Sequence, residues 1–446
     1  MNALLILFGK LLSIISRILN VGSGSTWPGH IALNLNKNFI KEIIKKNPHL
    51  KIILIAGTNG KTTTGKLIQT ILENTKYKVF QNEAGANLLN GIASSLLLHS
   101  SILCKINYDF AIFEIDENTL PLVLKEISPD YLILLNLFRD QLDRYGEVNT
   151  IAKEWEGAIK HLLPKTKLIL NADDPQIAYL GKSRGVVASA PSRCNRIDTS
   201  IFYFGLNDKS LNTVQHQHAV DSTYCPNCNS KLFYNKIYYS HLGDWECRKC
   251  GLKHPAKTFT SSPSYPLSGI YNEYNTNAAV LLCEQIGIEK QSISHALHKF
   301  KPAFGRQEIL NINGKRVQIF LSKNPTGFNE SLRTIANLGA LNLLLVLNDR
   351  IPDGRDVSWI WDVDFEDFIN KFQSIVISGD RAYDIGLRIK YTQPIIHDSS
   401  FIIQENLKEA IALGLKKTPK SEALYILPTY SAMLEARKIL TGKKIL

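Results

Sequence analysis

The sequence predicts an α/β protein with a central P-loop domain on a parallel sheet, an inserted four-cysteine zinc ribbon, and a smaller Rossmann-like α/β domain at the carboxyl end. Three observations carry this prediction. Apolar runs of strand length recur in both halves without alternating, a Gly-Lys-Thr loop follows the first run, and two Cys-x-x-Cys pairs interrupt the rhythm in the middle.

Ile52 to Ala56, Phe110 to Ile115, Tyr131 to Leu137 and Lys167 to Leu170 are continuous apolar runs separated by helix-length stretches. Continuous runs mean burial on both faces, which is how parallel strands read. Leu343 to Leu347, Ser374 to Ser378 and Ala423 to Leu427 repeat the rhythm and predict a second α/β unit. With 446 residues and about 150 residues per domain, two or three domains are expected. The boundaries drawn are 1–45 for an amino-terminal amphipathic helix and lead-in, 46–306 for the central domain, 222–256 for the insertion within it, and 307–446 for the last domain.

The amino terminus reads as neither a signal sequence nor a membrane span. No Lys or Arg precedes the apolar stretch Ala3 to Phe8, and Lys10 and Arg17 interrupt the apolar residues beyond it. Lys10, Ser13, Arg17 and Asn20 instead fall at helical spacing, so an amphipathic helix with a basic stripe is expected. Its apolar face is expected to dock on the protein itself, with a membrane surface as the alternative. A hydrophobic content of 44% excludes a disordered chain, and a formal charge of +12 suits an anionic partner such as nucleotide, nucleic acid or anionic lipid. Seven Cys, four of them in tight pairs, predict a reducing compartment, the cytoplasm.

Gly57-Thr58-Asn59-Gly60-Lys61-Thr62-Thr63-Thr64 lies between the strand Ile52 to Ala56 and a helical stretch from Gly65. Glycines there let successive backbone N–H groups turn toward phosphate oxygens, and the helix amino end adds positive dipole. Lys61 is expected to neutralise the β and γ phosphates of ATP, and the Thr62 hydroxyl to ligate Mg²⁺. The full pattern wants Gly at position 55, where this chain has Ile55. A carboxylate inside an apolar run needs a partner or an ion, so Glu114 is the expected second magnesium ligand. Asp116 and Glu117 just beyond it read as surface acids.

Cys225-Pro-Asn-Cys228 and Cys247-Arg-Lys-Cys250 supply four thiolates, enough to close a structural Zn²⁺ site with no position left for water. Cys104, Cys194 and Cys283 read as core residues, and His216 and His218 lie near the ribbon without being needed by it. Zinc ribbons also bind nucleic acid, and Tyr224, Phe233, Tyr234, Tyr238 and Tyr239 lie near Lys231 and Lys236. A nucleic-acid-binding P-loop protein is therefore the rival reading.

Taken in order, Gly57 to Thr63, Asn136-Leu-Phe-Arg-Asp-Gln-Leu-Asp-Arg-Tyr-Gly146, Asn171-Ala-Asp-Asp-Pro175, Tyr271-Asn-Glu-Tyr-Asn275 and Gly305-Arg-Gln-Glu308 resemble the Mur ligases. The Cys quartet, Lys323 to Glu330 and Asp353 to Asp362 are similar to the branch of that family that amidates lipid II. The resemblance implies that ATP activates the α-carboxylate of D-glutamate in the stem peptide as an acyl phosphate, which ammonia converts to D-isoglutamine. It places Asn82, Glu83 and Asn87 near the phosphates, and Asn275 and Arg306 near the nucleotide. Asp349 is either an ATP-orienting residue or a plain turn residue. Gln141 stands where most Mur ligases carry a His that helps hold a second magnesium. No Cys lies in a glutaminase-like context, and the resemblance implies a separate GatD-like glutaminase forming a heterodimer. Asp353 to Asp362 would face it, and Asp356, or else Asp353, would complete a Cys-His-Asp triad across the interface. No nucleic acid is expected on this reading, and a lipid-linked substrate gives the amino-terminal helix a reason to touch the inner membrane face. A ligase of the folylpolyglutamate synthase type, adding an amino acid without a partner, is the nearest enzyme rival.

Overall fold

The computed structural model describes residues 1–18, 26–82, 85–140, 148–187, 200–207, 217–218, 220–392 and 401–442. Glu83, Gln141, Cys194 and His216 lie outside the described residues. Among the described residues six strands form the central sheet: β1 (Lys51–Ala56), β2 (Val79–Gln81), β3 (Phe110–Ile115), β4 (Tyr131–Leu134), β5 (Lys167–Asn171) and β6 (Ile201–Phe204). Their order is β2-β3-β1-β4-β5-β6 and every pairing is parallel.

Alternate residues of β1 serve opposite layers, as a two-residue side-chain period requires. Ile52, Leu54 and Ala56 join the core that holds Ile92, Leu96 and Trp155. Ile53 and Ile55 join the core that holds Leu67, Ile71 and Leu281. The position expected to be Gly in the full phosphate-loop pattern, Ile55, is thus a buried strand residue paired with Glu114 of β3. β4 ends at Leu134 rather than Leu137, because the next residues leave the sheet and the Asn136 side chain turns to the backbone of Asn59.

The carboxyl-terminal sheet contains β9 (Arg306–Ile312), β10 (Lys315–Phe320), β11 (Asn342–Val346), β12 (Ser374–Ser378), β13 (Ile402–Ile403) and β14 (Ala423–Pro428). Its order is β13-β12-β11-β14-β10-β9, parallel except for the β9–β10 hairpin. Asn313 and Gly314 turn that hairpin with φ of 52° and 77°, the left-handed values a tight two-residue turn demands. Arg306, expected as the last residue of the central domain, opens β9 and so already belongs to the second sheet.

The remaining strands, β7 (Phe233–Tyr239) and β8 (Leu242–Glu246), form an antiparallel hairpin between the two cysteine pairs. Trp245 of β8 is fully buried and its indole N–H donates to the Ala172 carbonyl at 3.2 Å. Asp173 accepts from Tyr274 at 2.7 Å and pairs with His254 at 2.7 Å. The Asn171 to Pro175 segment therefore anchors the ribbon to the sheet.

At the amino end, α1 (Asn2–Ile18) packs on α2 (Trp27–Leu35) and on α5 (Leu89–His99), while α3 (Phe39–Lys45) precedes β1 and α4 (Lys61–Asn74) follows the phosphate loop. The docking of α1 differs from expectation. Its buried face carries Asn2, Leu5, Ile6, Gly9 and Ser13, whereas Leu4, Leu7, Phe8, Leu11, Ile14 and Ile15 point outward. Small and polar residues win the protein-facing side because contact is close there: a Cβ at Gly9 would lie 2.8 Å from Leu97, and Asn2 bonds Asn36 and Glu42. Among the described residues, no helix is long and apolar enough to cross a membrane.

Candidate active site

The phosphate loop is shaped by two backbone positions closed to other residues. Gly57 has φ of 141° and a Cβ there would meet Leu135 and Asn136 within about 3 Å. Gly60, at φ 95°, caps α4, and a Cβ there would lie 2.0 Å from the Asn275 amide oxygen. Asn136 clamps the loop from the end of β4 by accepting from Asn59 N at 2.9 Å and donating to Asn59 O at 3.1 Å. Thr58 and Phe138 exchange hydrogen bonds of 3.1 and 3.0 Å. The loop backbone is therefore fixed before any phosphate arrives.

Lys61 and Thr62 open α4. The Lys61 ammonium donates to the Gly57 carbonyl and pairs with Glu117 at 3.1 Å. The Thr62 hydroxyl donates to Glu114 Oε2 at 2.8 Å. Burial pushes the Glu114 carboxyl above its ordinary value, against the Thr62 hydroxyl, Arg306 and Lys61, which pull it down. Its other oxygen, Oε1, is buried and has no hydrogen-bond partner among the described residues. A carboxylate oxygen with unused lone pairs beside a threonine hydroxyl fits the oxygen-donor set of a magnesium ion. Asn82 fixes this strand end, accepting from Glu114 N at 2.9 Å and donating to Glu114 O at 3.0 Å. Asn87 reaches the same corner through its carbonyl, which accepts from Asp116 N.

Glu117 is buried and belongs to this centre rather than to the surface. Burial pushes its carboxyl up, but the charges of Lys61 and Lys323 outweigh that and hold it below the ordinary value. Lys323 in turn pairs with Asp140. Two further contacts tie the domains together here. Asn59 and Asn324 exchange amide hydrogen bonds of 3.0 and 3.3 Å, and Arg139 bridges Asp221 at 2.7 Å and Asp362 at 2.8 Å.

Between the domains, Asn59, Gly60 and Thr63 from the loop meet Tyr271, Asn275 and Arg306 in a single cleft. The expected nucleotide residues Asn275 and Arg306 thus face the phosphate loop. Burial lowers the Arg306 guanidinium, and Glu114 opposes that effect. Asp349 lies elsewhere, accepting from Arg381 at 3.1 Å in a separate hollow beside Ile351 and Pro352.

The two aspartates read as alternatives occupy different environments. Asp353 is buried and accepts from both the backbone N–H and the hydroxyl of Ser431, which secures the start of the helix Tyr430–Thr441. Asp356 is exposed and accepts from Ser358 N at 2.8 Å, and the Ser358 hydroxyl together with that backbone N–H holds its carboxyl below the ordinary value. Trp359 packs on Phe328 at 5.7 Å, whereas Trp361 is half exposed beside Tyr391 and Arg388.

In the ribbon, the four Cys sulfurs lie within 4.8 Å of one another. The pairs Cys225–Cys250 and Cys228–Cys247 are 3.6 and 3.5 Å apart, against about 3.8 Å expected between thiolates 2.3 Å from a tetrahedral zinc. Each knuckle closes alike. Asn229 N donates to Cys225 O and Gly251 N to Cys247 O, with Asn229 and Gly251 both left-handed. The quartet therefore fits structural zinc. Tyr234, Tyr238 and Tyr239 are buried, which removes them from any base-stacking surface. Phe233 and Tyr224 remain exposed, Phe233 with the Arg248 guanidinium 3.6 Å from its ring centre.

Family comparisons agree with this architecture. Residues 55–283 match the Mur ligase middle domain and residues 321–433 the MurT ligase C-terminal domain. The chain is 32% identical over 394 residues to the lipid II isoglutaminyl synthase (glutamine-hydrolyzing) subunit MurT of Staphylococcus aureus (strain COL), covering 84% of this chain and 85% of that protein. The chain belongs to the MurT branch of the Mur ligase family. The corresponding MurT subunit of Streptococcus pneumoniae is 31% identical, with 97% of this chain and 95% of that one covered. Among solved structures, MurF from Acinetobacter baumannii shares the fold with a TM-score of 0.62 at 17% identity, over 90% of this chain and 78% of that one. Asn136, Asp140, Lys323 and Asn324 all stand in the segments that carry the resemblance, but the pairs Asp140–Lys323 and Asn59–Asn324 form only where two distant loops of different domains meet.

Proposed function

We propose that this chain is the synthetase subunit of a glutamine-hydrolysing lipid II isoglutaminyl synthase, forming the amide at the α-carboxylate of the D-glutamate in the lipid II stem peptide. The reading rests on the centre formed by Lys61, Thr62 and Glu114 at the mouth of a two-domain cleft, in a chain similar along its length to MurT subunits. A carboxylate oxygen attacks the γ phosphorus of ATP, the bond to the β-phosphate oxygen breaks, and ADP departs. Ammonia then attacks the acyl carbon, the carbon–oxygen bond breaks, phosphate leaves and one proton is released.

Each residue has a share in those steps. The Gly57 to Lys61 backbone and the amino end of α4 hold the phosphate chain, so that the γ phosphoryl group stands in line with the acid. Lys61 exchanges its resting partners, Gly57 O and Glu117, for phosphate oxygens. Arg306 adds a second cation across the cleft. Thr62 and Glu114 Oε1 would hold magnesium, which supplies positive charge against the phosphate oxygens. Cys225, Cys228, Cys247 and Cys250 would hold zinc, which cross-links the ribbon.

Ammonia on this reading comes from a GatD-like glutaminase bound in a heterodimer. The exposed Asp356, with Trp361 and Ile351 standing out nearby, suits a surface that faces that partner and lends it a carboxylate. An Asp bonded to a His fixes its tautomer and stabilises the imidazolium form. Mass measurement of lipid II incubated with the chain, a glutaminase partner, ATP and glutamine tests the reading. The product should be lighter by the difference between OH and NH₂, and unaltered lipid II would refute it.

A further inference from the structure

The outward side of α1 is more apolar than the side that faces the protein. Leu4, Leu7, Phe8, Leu11, Ile14 and Ile15 follow one helical stripe, and all are exposed, from 44% at Ile15 to 72% at Leu4. Within that stripe no charged residue occurs. A soluble helix ordinarily turns this face inward, and so large an apolar row left in water marks a docking surface. The occupant is indicated by charge. Residues 1–50 hold six basic side chains, Lys10, Arg17, Lys37, Lys41, Lys45 and Lys46, against one acid, Glu42. Lys10 is on α1 itself, flanking the stripe, and the other four lysines are exposed around α3. Trp27, also exposed, opens the neighbouring α2. A helix with an apolar face, basic flanks and a length of 17 residues, too short to span, is built to lie in a lipid interface.

We infer that α1 seats the protein on an anionic lipid surface, with its Leu and Ile stripe in the acyl boundary and the surrounding lysines against the headgroups. This rests on the proposed function in one respect: a lipid-anchored substrate gives the docking its purpose. Its physical basis is independent of the reaction. The buried face of α1 remains on α5 through Gly9 and Leu97, so docking requires no unfolding.

The test is sedimentation of the full chain with phosphatidylglycerol-containing vesicles and with neutral phosphatidylcholine vesicles, in the presence and absence of the glutaminase partner. The wild type should bind the anionic vesicles, less so as salt rises. Leu7→Ser combined with Leu11→Ser should weaken binding about tenfold or more, with an unchanged melting temperature because both side chains are already in water. Lys10→Gln should lower the salt dependence while keeping the fold. The inference is overturned by failure to bind anionic vesicles at low salt, or by a double variant that binds as the wild type does. It is also overturned by self-association that the double variant abolishes, which would assign the face to a second copy, or by release from vesicles on adding the glutaminase. No substrate enters this assay, so a chain that binds vesicles yet leaves solubilised lipid II unaltered would refute the proposed function and leave the docking in place.

Discussion

Replacing Lys61 by methionine should cost stability as well as activity, and the size of the cost comes from Glu117. The Lys61 and Glu117 side chains are 10% and 5% exposed and 3.1 Å apart. Removing one partner of such a pair strands the other charge and costs about 3–5 kcal/mol. Lys323 also acts on Glu117, which places the expected loss near the lower end, about 3 kcal/mol. That is a large part of the roughly 5–15 kcal/mol that holds a domain folded. Adding Glu117→Gln removes the stranded charge, so the double variant should regain about 1.5 kcal/mol or more relative to additive loss. Neither variant should transfer phosphate. Urea unfolding reads the loss of stability, and hydrogen exchange at the Trp155 indole N–H, which donates to the Glu117 carbonyl at 2.8 Å, reads the change locally. The pH dependence has a defined sign. In the wild type the lowered Glu117 carboxyl contributes stability above its ordinary pKa of 4.5, lost as pH falls through the lower folded value. In Lys61→Met burial dominates instead, the folded pKa rises, and the deficit should shrink as acid protonates Glu117. A Lys61→Met protein within about 1 kcal/mol of wild type, or a double variant no better than the sum of its parts, would refute the buried-pair account.

Glu114→Gln keeps the shape and the Thr62 hydrogen bond but removes the charge, so phosphate transfer should fall by about 10²–10³-fold; a magnesium titration with an unchanged midpoint would contradict the ligand assignment. Cys228→Ser should lose bound zinc and loosen the β7–β8 hairpin, seen as metal content by elemental analysis and as faster hydrogen exchange at Trp245. Asp356→Asn should abolish glutamine-driven amidation while sparing the reaction fed with ammonia, and equal loss of both would remove it from the shared triad. Asp353→Ala should instead lower thermal stability, by about 1–2 kcal/mol for a lost helix-start contact.

Much of the site was legible because its signals are local. The phosphate loop needs glycine at fixed offsets and a lysine and threonine at the next helix start, and Gly57 to Thr62 are adjacent in the chain. The same holds for the cysteine knuckles. Glu114 was readable as a carboxylate inside an apolar run, a contradiction that demands a partner. Asp116 and Glu117 are both buried rather than surface acids; Glu117 is held by the Lys61 ammonium and the nearby charge of Lys323, partners remote in sequence that no local pattern records. The strand β2 was missed because three residues give too short a run, β9 because polar and partly exposed residues break its apolar pattern, and β10 because Lys315, Arg316 and Gln318 interrupt its apolar run although four of its six residues are buried. Asn313-Gly314 was nevertheless a hairpin signal in plain view. The orientation of α1 went against expectation because apolar periodicity identifies a face without saying what covers it. Gly9 and Asn2, not the leucines, decide which side meets α5 and α3.

On the proposed reaction, the γ phosphoryl group of ATP passes to a substrate carboxylate at Lys61, Thr62 and Glu114. The most direct measurement supplies lipid II carrying heavy oxygen in the D-glutamate α-carboxylate and tracks the label through a complete reaction with ATP, glutamine and the glutaminase partner. Transfer through an acyl phosphate predicts one labelled oxygen in each phosphate released, in step with amide formed. Amide formation with unlabelled phosphate would contradict the account.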